Sequence, residues 1–187
     1  MINIHPSSIV DTKNIGEGTK IWAFVHILKD VTIGSNCNIN DHVFIENGVK
    51  IGDNVTVKCG VWLWDGITLE NNVFIGPSAT FTNDRFPRSK NTNFTHLGIV
   101  VKEGASVGAN ATILPGITIG KYAMVGAGSV VTKDVEDFAL VYGNPAKNYG
   151  YVCKCGEKLS DLENVNISCK CGLQYKIHDD KIQFMST

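Results

Sequence analysis

An aliphatic side chain recurs at every sixth residue of this chain. Ile9, Ile15, Ile21, Ile27, Ile33, Ile39, Ile45, Ile51, Val57, Leu63, Leu69, Ile75 and Phe81 form one unbroken series, which resumes at Val101, Val107, Ile113, Ile119, Val125 and Val131. Ile, Val and Leu make up roughly a quarter of the sequence, so their holding all but one of nineteen equally spaced positions is a structural period and not an effect of composition. Four residues after most of these positions comes a second small or β-branched residue, as at Val25, Val31, Cys37, Val43, Val55, Val61 and Val73. Triplets such as Val43-Phe44-Ile45 therefore read in, out, in, the alternation of a very short strand. Between triplets lie three residues rich in Gly, Asn and Asp, such as Gly34-Ser35-Asn36 and Gly52-Asp53-Asn54, which tolerate the positive φ of a tight corner.

A chain that turns a corner every six residues closes a triangular coil after about three hexads, and coils stack at about the 4.8 Å spacing of paired strands. The expected fold is all-β: a parallel β-helix of about six coils, on the order of 30 Å tall. A β-sandwich is the competing architecture, but its strands are longer and their spacing is not constant. Because coils take eighteen residues, positions eighteen apart lie one above another. His26, Phe44, Trp62 and Thr80 then form an outward, largely aromatic ladder on one wall. Lys20, Asn38, Thr56 and Phe74, and Thr32, Lys50 and Thr68, occupy the same level on the other two walls, which are mostly polar.

A formal net charge of −1 and pI ≈ 6.5 argue against a nucleic-acid or anionic-membrane surface. No apolar run approaches the roughly 20 residues of a membrane-spanning helix, and no basic segment followed by an apolar stretch opens the chain. A cytoplasmic protein is the expectation, with a principal domain over residues 1–150 and a small appendage over 151–187.

Ile21-Trp22-Ala23-Phe24-Val25-His26-Ile27, Phe81-Thr82-Asn83-Asp84-Arg85-Phe86-Pro87-Arg88, Val125-Gly126-Ala127-Gly128-Ser129-Val130-Val131 and Gly143-Asn144-Pro145-Ala146-Lys147 carry a more specific signal. Over His5 to Gly150 the chain resembles the hexapeptide-repeat nucleotide-sugar 3-N-acetyltransferases. The resemblance implies a left-handed β-helix, a homotrimer with acyl-CoA bound between neighbouring prisms, and acetyl transfer from acetyl-CoA to the 3-amino group of a dTDP- or UDP-linked amino sugar. The loop version Asn-Asp-Arg-Phe-Pro-Arg inclines the choice to a dTDP-3-amino-3,6-dideoxyhexose. A UDP-2-acetamido-3-amino-2,3-dideoxyglucuronate is the near alternative. A non-catalytic zinc-tailed scaffold and a β-helix carbonic anhydrase are readings of a different class.

The aromatic wall suggests burial against a partner. At the corner bordering it, Leu28, Glu46, Trp64 and Thr82 stack, followed by Lys29, Asn47, Asp65 and Asn83. Phe81 to Val101 breaks the hexad phase, so residues at about 83–98 are expected to leave the prism as a loop, where function is usually carried. The resemblance places Asn83 in the active site, where it can orient the amine or supply a donor to the developing oxyanion. Arg85 and Arg88 can pair with phosphate, or one of them can hold the loop to Glu46 or Asp65. Trp64 offers a stacking surface, and Glu46, Asp84, Arg85 and Arg88 complete the candidate sugar-nucleotide set. His42, at the other edge of the wall, and His26 compete as general base, although the related 3-amino-sugar enzymes imply proton transfer to the departing CoA sulfur. For acetyl-CoA the resemblance selects the late coils: Gly126, Ala127, Gly128, Lys133, Asn144, Pro145 and Lys147.

From Cys153 the hexad is gone. Cys153-Lys154-Cys155-Gly156 and Cys169-Lys170-Cys171-Gly172 are matching knuckles, the layout expected of four thiolates around one tetrahedral zinc, though Cys-x-Cys is tighter than the usual Cys-x2-Cys. So short a tail cannot bury much core, so its metal is expected to be structural. Cys37 is expected to pack in the interior, and no role is assigned to Cys59.

Overall fold

The computed structural model describes residues 1–91, 95–160, 166–178 and 181–185, and its regular structure among them is all β-strand. Residues 92–94 of the expected loop, and 161–165, 179–180 and 186–187 of the tail, lie outside the described residues.

Each hexad contributes a strand of two or three residues followed by a corner, and the strands fall into three parallel sheets. The first wall holds Asn3–Ile4, Lys20–Ile21, Asn38–Ile39, Thr56–Val57, Phe74–Ile75, Ser106–Val107, Met124–Val125 and Ala139–Gly143, and closes on the antiparallel strand Ala146–Tyr151. The second wall runs from Ile9–Val10 through His26–Ile27, Phe44–Ile45, Trp62–Leu63, Thr80–Phe81 and Thr112–Ile113 to Val130–Val131. The third runs from Asn14–Ile15 to Thr118–Ile119. Through the body of the prism the register is eighteen residues, as in Lys20↔Asn38, Thr56↔Phe74 and Phe44↔Trp62.

Two forces lock this register. Each outward residue donates its N–H to the next coil, as from Lys20 to the Cys37 carbonyl at 2.8 Å and from Thr56 to Val73 at 2.9 Å, so the short strands leave few backbone groups unpaired. The inward residues Ile27, Ile45, Leu63, Ile75, Val107 and Ile113 are fully buried and stack rung on rung, which removes a continuous apolar column from water. The corners repeat as strictly as the strands. Phe24, His42, Gly60, Ser78, Asn110 and Gly128 share one corner column and all have φ between 55° and 71°, the left-handed conformation that lets a three-residue corner close.

The register departs from eighteen in three places. At the start, Val10 pairs with Ile27 and Ile9 with His26, seventeen residues on, so Ile9 faces out and is 58% exposed, contrary to its expected inward place. One residue is missing from the following corner. Buried Thr12 bridges it, its hydroxyl donating to the Val31 carbonyl at 2.7 Å and accepting the Asn14 N–H at 3.1 Å. Later, Thr68 pairs with Val100, thirty-two residues on, so one coil carries an insertion of fourteen residues. At the end, Met124 pairs with Leu140, sixteen residues on, and the chain reverses through Asn144-Pro145, whose peptide is cis. Beyond Tyr151 lie the two cysteine knuckles and a three-stranded antiparallel sheet, Asn166–Ser168, Gln174–His178 and Lys181–Met185.

Candidate active site

The second wall carries the outward aromatic ladder. His26 meets Phe44 edge-on at 5.5 Å, Phe44 meets Trp62 at 6.3 Å and Trp64 at 5.9 Å, and the two tryptophans stand 5.8 Å apart. Trp62 remains 55% exposed. The patch extends over the preceding corner, where Phe24 stacks on His42 at 5.1 Å and Trp22 donates its indole N–H to Asn38 Oδ1 at 2.6 Å. Trp22 and Phe24 are absent from the sequence-derived ladder because they sit in a corner, outside the period that finds wall positions.

Trp64 is fixed by its indole N–H donating to the Phe81 carbonyl at 2.9 Å, which ties it to the residue from which the loop departs. Thr82 donates its hydroxyl to the Ile113 carbonyl at 3.0 Å, and half-buried Asn83 follows on the corner above Asp65. The loop returns through Gly98, where any Cβ would stand 2.6 Å from the Gly66 carbonyl oxygen. Only glycine lets the returning strand pass so close.

The loop residues divide by use. Asp84 Oδ1 accepts the Phe86 N–H at 2.8 Å, so this carboxylate shapes the turn. Arg88 donates from Nη1 to the Pro87 carbonyl at 2.9 Å, and exposed Arg85 makes no ion pair among the described residues. Glu46 Oε2 accepts the Asp65 N–H at 2.9 Å, so its contact is with the neighbouring corner. Phe86 is 77% exposed at the head of this basic loop.

The late-coil residues gather at the far end of the prism. A Cβ on Gly126 would meet the Tyr142 Cβ at 2.7 Å, and the Gly143 N–H donates to Ser129 Oγ at 3.3 Å, so the Asn144-Pro145 tip lies over the Gly126-Ala127-Gly128 corner. A Cβ at Gly128 would meet nothing within 4 Å. Lys133 stands on the corner at the other edge of the wall, beside Ala146 and Asn148 in a cavity of about 350 Å³. Lys147 pairs across the hairpin with Tyr142, which stacks on Tyr149 with ring centroids 3.9 Å apart. That tyrosine pair is a feature the hexad could not reveal, since both residues lie beyond its last repeat.

The four cysteine ligand atoms all lie within 4.8 Å of one another, with Cys153 Sγ to Cys171 Sγ at 3.5 Å and Cys155 Sγ to Cys169 Sγ at 3.7 Å. A tetrahedron with zinc–sulfur bonds of about 2.3 Å has edges of about 3.8 Å, so the four thiols can hold one zinc ion. Burial opposes ionisation of Cys153, but the Cys155 N–H at 3.5 Å and the Tyr175 hydroxyl at 3.1 Å both donate to its sulfur and bring the thiol down to about 7. Burial pushes the Cys37 thiol up, in keeping with its interior place. Within one chain, the four cysteines are the one group of His, Cys, Asp or Glu among the described residues that is able to hold a metal.

Residues 12–47 and 98–133 match the bacterial transferase hexapeptide (six repeats) family, and residues 42–77 match the hexapeptide repeat of succinyl-transferase. A dTDP-3-amino-3,6-dideoxy-alpha-D-galactopyranose 3-N-acetyltransferase of Aneurinibacillus thermoaerophilus is 58% identical over 176 residues, 94% of this chain and 91% of that protein. Such a span cannot omit Cys153–Cys171, so the similarity includes the tail, which the resemblance over His5 to Gly150 had set apart. A histidine-to-alanine variant of GDP-perosamine N-acetyl transferase from Caulobacter crescentus, in complex with CoA and GDP-perosamine, is 27% identical with a TM-score of 0.57, covering 80% of this chain and 57% of that one. A hexapeptide-repeat acetyltransferase of Vibrio cholerae, complexed with acetyl coenzyme A, is 30% identical with a TM-score of 0.53 over 57% of this chain and 64% of that one. With the repeat, the departing loop and near-full-length identity in agreement, the chain belongs to the hexapeptide-repeat nucleotide-sugar 3-N-acetyltransferases.

Proposed function

We propose that this enzyme transfers the acetyl group of acetyl-CoA to the 3-amino group of a dTDP-3-amino-3,6-dideoxyhexose, with the galacto sugar as first choice. The observation that carries the sugar is the 58% identity across 94% of the chain to an enzyme named for that substrate. The exposed Phe86, in the loop that carries Arg85 and Arg88, suits a 6-deoxy sugar, whose methyl group needs an apolar contact where a glucuronate would need a further cation.

The working site is built between protomers of a homotrimer. Asn83 and its loop border one edge of the aromatic wall, whereas the Gly126-Ala127-Gly128 corner borders the other. A groove that holds amine and thioester together therefore draws one edge from each of two prisms. The cavity on the wall itself, lined by Gly60, Trp62, Trp64 and Thr80, measures only about 180 Å³, below the several hundred Å³ of an enclosed ligand site.

In this groove the sugar amine attacks the thioester carbonyl, the Asn83 carboxamide holds the amine or the oxyanion, and Arg85 and Arg88 face the pyrophosphate. Collapse of the tetrahedral adduct breaks the carbon–sulfur bond and the amine proton passes to the departing CoA sulfur. His26 and His42 have their rings engaged by Phe44 and Phe24, and neither has an orienting carboxylate among the described residues. General-base catalysis is typically worth about 10²- to 10⁴-fold, so His26→Ala and His42→Ala are expected to keep kcat within about tenfold. A hundredfold loss in either would assign it as the base.

The deciding measurement is release of free thiol from acetyl-CoA with a panel of dTDP- and UDP-linked amino sugars. Turnover highest with dTDP-3-amino-3,6-dideoxygalactose supports the assignment. Preference for the UDP-2-acetamido-3-amino-2,3-dideoxyglucuronate replaces it, and no turnover with any amine returns the chain to a zinc-tailed scaffold.

A further inference from the structure

The two cysteine knuckles are copies of one turn. The Gly156 N–H donates to the Cys153 carbonyl at 2.8 Å and the Gly172 N–H to the Cys169 carbonyl at 2.9 Å. The Cys153 and Cys169 N–H groups reach the Glu157 and Leu173 carbonyls, both at 2.8 Å, and Gly156 and Gly172 share φ of 93°. Such duplication places four thiols symmetrically around one point, the geometry of a closed structural metal site.

The first knuckle is the direct continuation of the strand Ala146–Tyr151. That strand is the outermost of the first wall and pairs on one side only, with Ala139–Gly143, while Lys147, Asn148 and Tyr149 are exposed. Its C-terminal end is held from two sides. The Val152 N–H donates to the Phe138 carbonyl of the last coil at 2.8 Å, and the Leu159 N–H of the tail donates to the Tyr151 carbonyl at 2.9 Å. Phe138 is gripped from both sides, stacked on Tyr122 of the prism at 5.5 Å and met edge-on by Tyr175 of the tail at 5.5 Å. The Lys154 ammonium bridges the same junction, 4.8 Å from the Tyr122 ring and 3.6 Å from that of Phe184.

Everything in this grip depends on a very small core. Its buried members are Phe138, Leu159, Ile167, Tyr175, Ile182 and two of the cysteines themselves. A core of that size does not order its chain without a cross-link. Tyr175 connects the metal to the grip: its ring packs on Phe138, and its hydroxyl donates to Cys153 Sγ at 3.1 Å while accepting the Lys154 N–H at 2.9 Å.

We propose that zinc at Cys153, Cys155, Cys169 and Cys171 is a clamp on the acyl-CoA end of the groove: the metal orders the tail, the tail holds the edge strand Ala146–Tyr151, and the strand holds the Gly143-Asn144-Pro145 tip over the Gly126-Ala127-Gly128 corner. The functional half of this inference rests on the acyl-CoA placement proposed above. The mechanical half does not. Metal occupancy then tunes affinity for acetyl-CoA and leaves the sugar nucleotide, held at the Asn83 loop, unaffected. Because coupling between two sites is reciprocal, bound CoA must also tighten binding of the metal at equilibrium.

The test uses the full chain as purified. Metal analysis is expected to give one zinc per chain, and hydrogen exchange after chelation is expected to show residues 146–152 losing protection while the coils from Lys20 to Phe81 keep theirs. With the metal removed, KM for acetyl-CoA is expected to rise about tenfold, inside the usual range of coupling between sites, with KM for the sugar nucleotide unchanged and zinc restoring both readouts. Tyr175→Phe keeps the ring and loses only the hydroxyl; it is expected to weaken zinc by about 10- to 100-fold and to raise KM for acetyl-CoA at limiting zinc alone. Protein that carries no zinc, unchanged exchange at residues 146–152 after chelation, or an unchanged KM for acetyl-CoA would each overturn the clamp. Failure of the holoenzyme to turn over any amino sugar sinks the functional assignment instead and leaves the exchange result to decide the mechanical half.

Discussion

Leu63 shows how much a single inward residue carries. It is fully buried, one rung above Ile45 and one below Phe81, in a column with no polar neighbour to soften a loss. Leu63→Ala is expected to destabilise the prism by about 2–5 kcal/mol, read from the denaturant midpoint, because stacked coils cannot collapse around the cavity. Asn83 is the opposite case: its side chain makes no hydrogen bond among the described residues, so Asn83→Ala is expected to leave the thermal midpoint unchanged. If it holds the amine or the oxyanion, kcat falls by about 10²- to 10³-fold. Full turnover in that variant would remove the loop from the mechanism. Inward and outward roles of single residues were legible in the sequence because they follow chain-local spacing. Ile9 was misread because a one-residue deletion in the corner at Thr12 moves it to the outer face, and side-chain spacing alone does not show which rung it joins.

At the scale of the coil, the corners set the spacing between neighbouring elements. A Cβ on Gly108 would stand 2.5 Å from the Ala127 amide nitrogen, a backbone contact that cannot rotate away. Gly108→Ala is therefore expected to lower the melting temperature and to raise KM for acetyl-CoA by displacing the Gly126-Ala127-Gly128 corner. Gly128→Ala separates steric room from backbone conformation. Its Cβ meets nothing, but φ is 69°, so the cost is strain of about 1–2 kcal/mol. The existence of the loop was readable from the break in phase, and its start at Asn83 from the column above Asp65. Its internal wiring was not. Asp84 Oδ1 closes the turn on Phe86, and Glu46 Oε2 accepts the Asp65 N–H of the next coil, bonds that the hexad period does not encode.

For the whole molecule, the aromatic wall is the feature that a single prism leaves unsatisfied. Trp62, Phe24 and Trp22 are about half exposed on this wall and its bordering corner, and clustered exposed aromatic rings mark an interaction surface. Trp62→Asp is expected to give monomers by sedimentation, with the prism still folded and acetyl transfer lost, since the proposed groove draws one edge from each of two protomers. A trimer that survives this change would place the interface elsewhere. The same scale explains the tail. Two Cys-x-Cys-Gly knuckles were legible as a candidate metal site because the spacing within each knuckle is local, and the structure brings the four sulfurs together.

By itself the sequence determined the repeat, the inward and outward faces, the loop and the donor set of the tail, all of which depend on residues no more than a few positions apart and on the eighteen-residue closure that follows from them. Only the tertiary structure decided where that closure slips at each end, that Phe138 extends the corner column of Tyr122 and docks the tail, and that the terminal hairpin comes to lie over Gly126. Those outcomes depend on packing between rungs far apart in the chain, where shape and burial choose the partner and no local period encodes the choice.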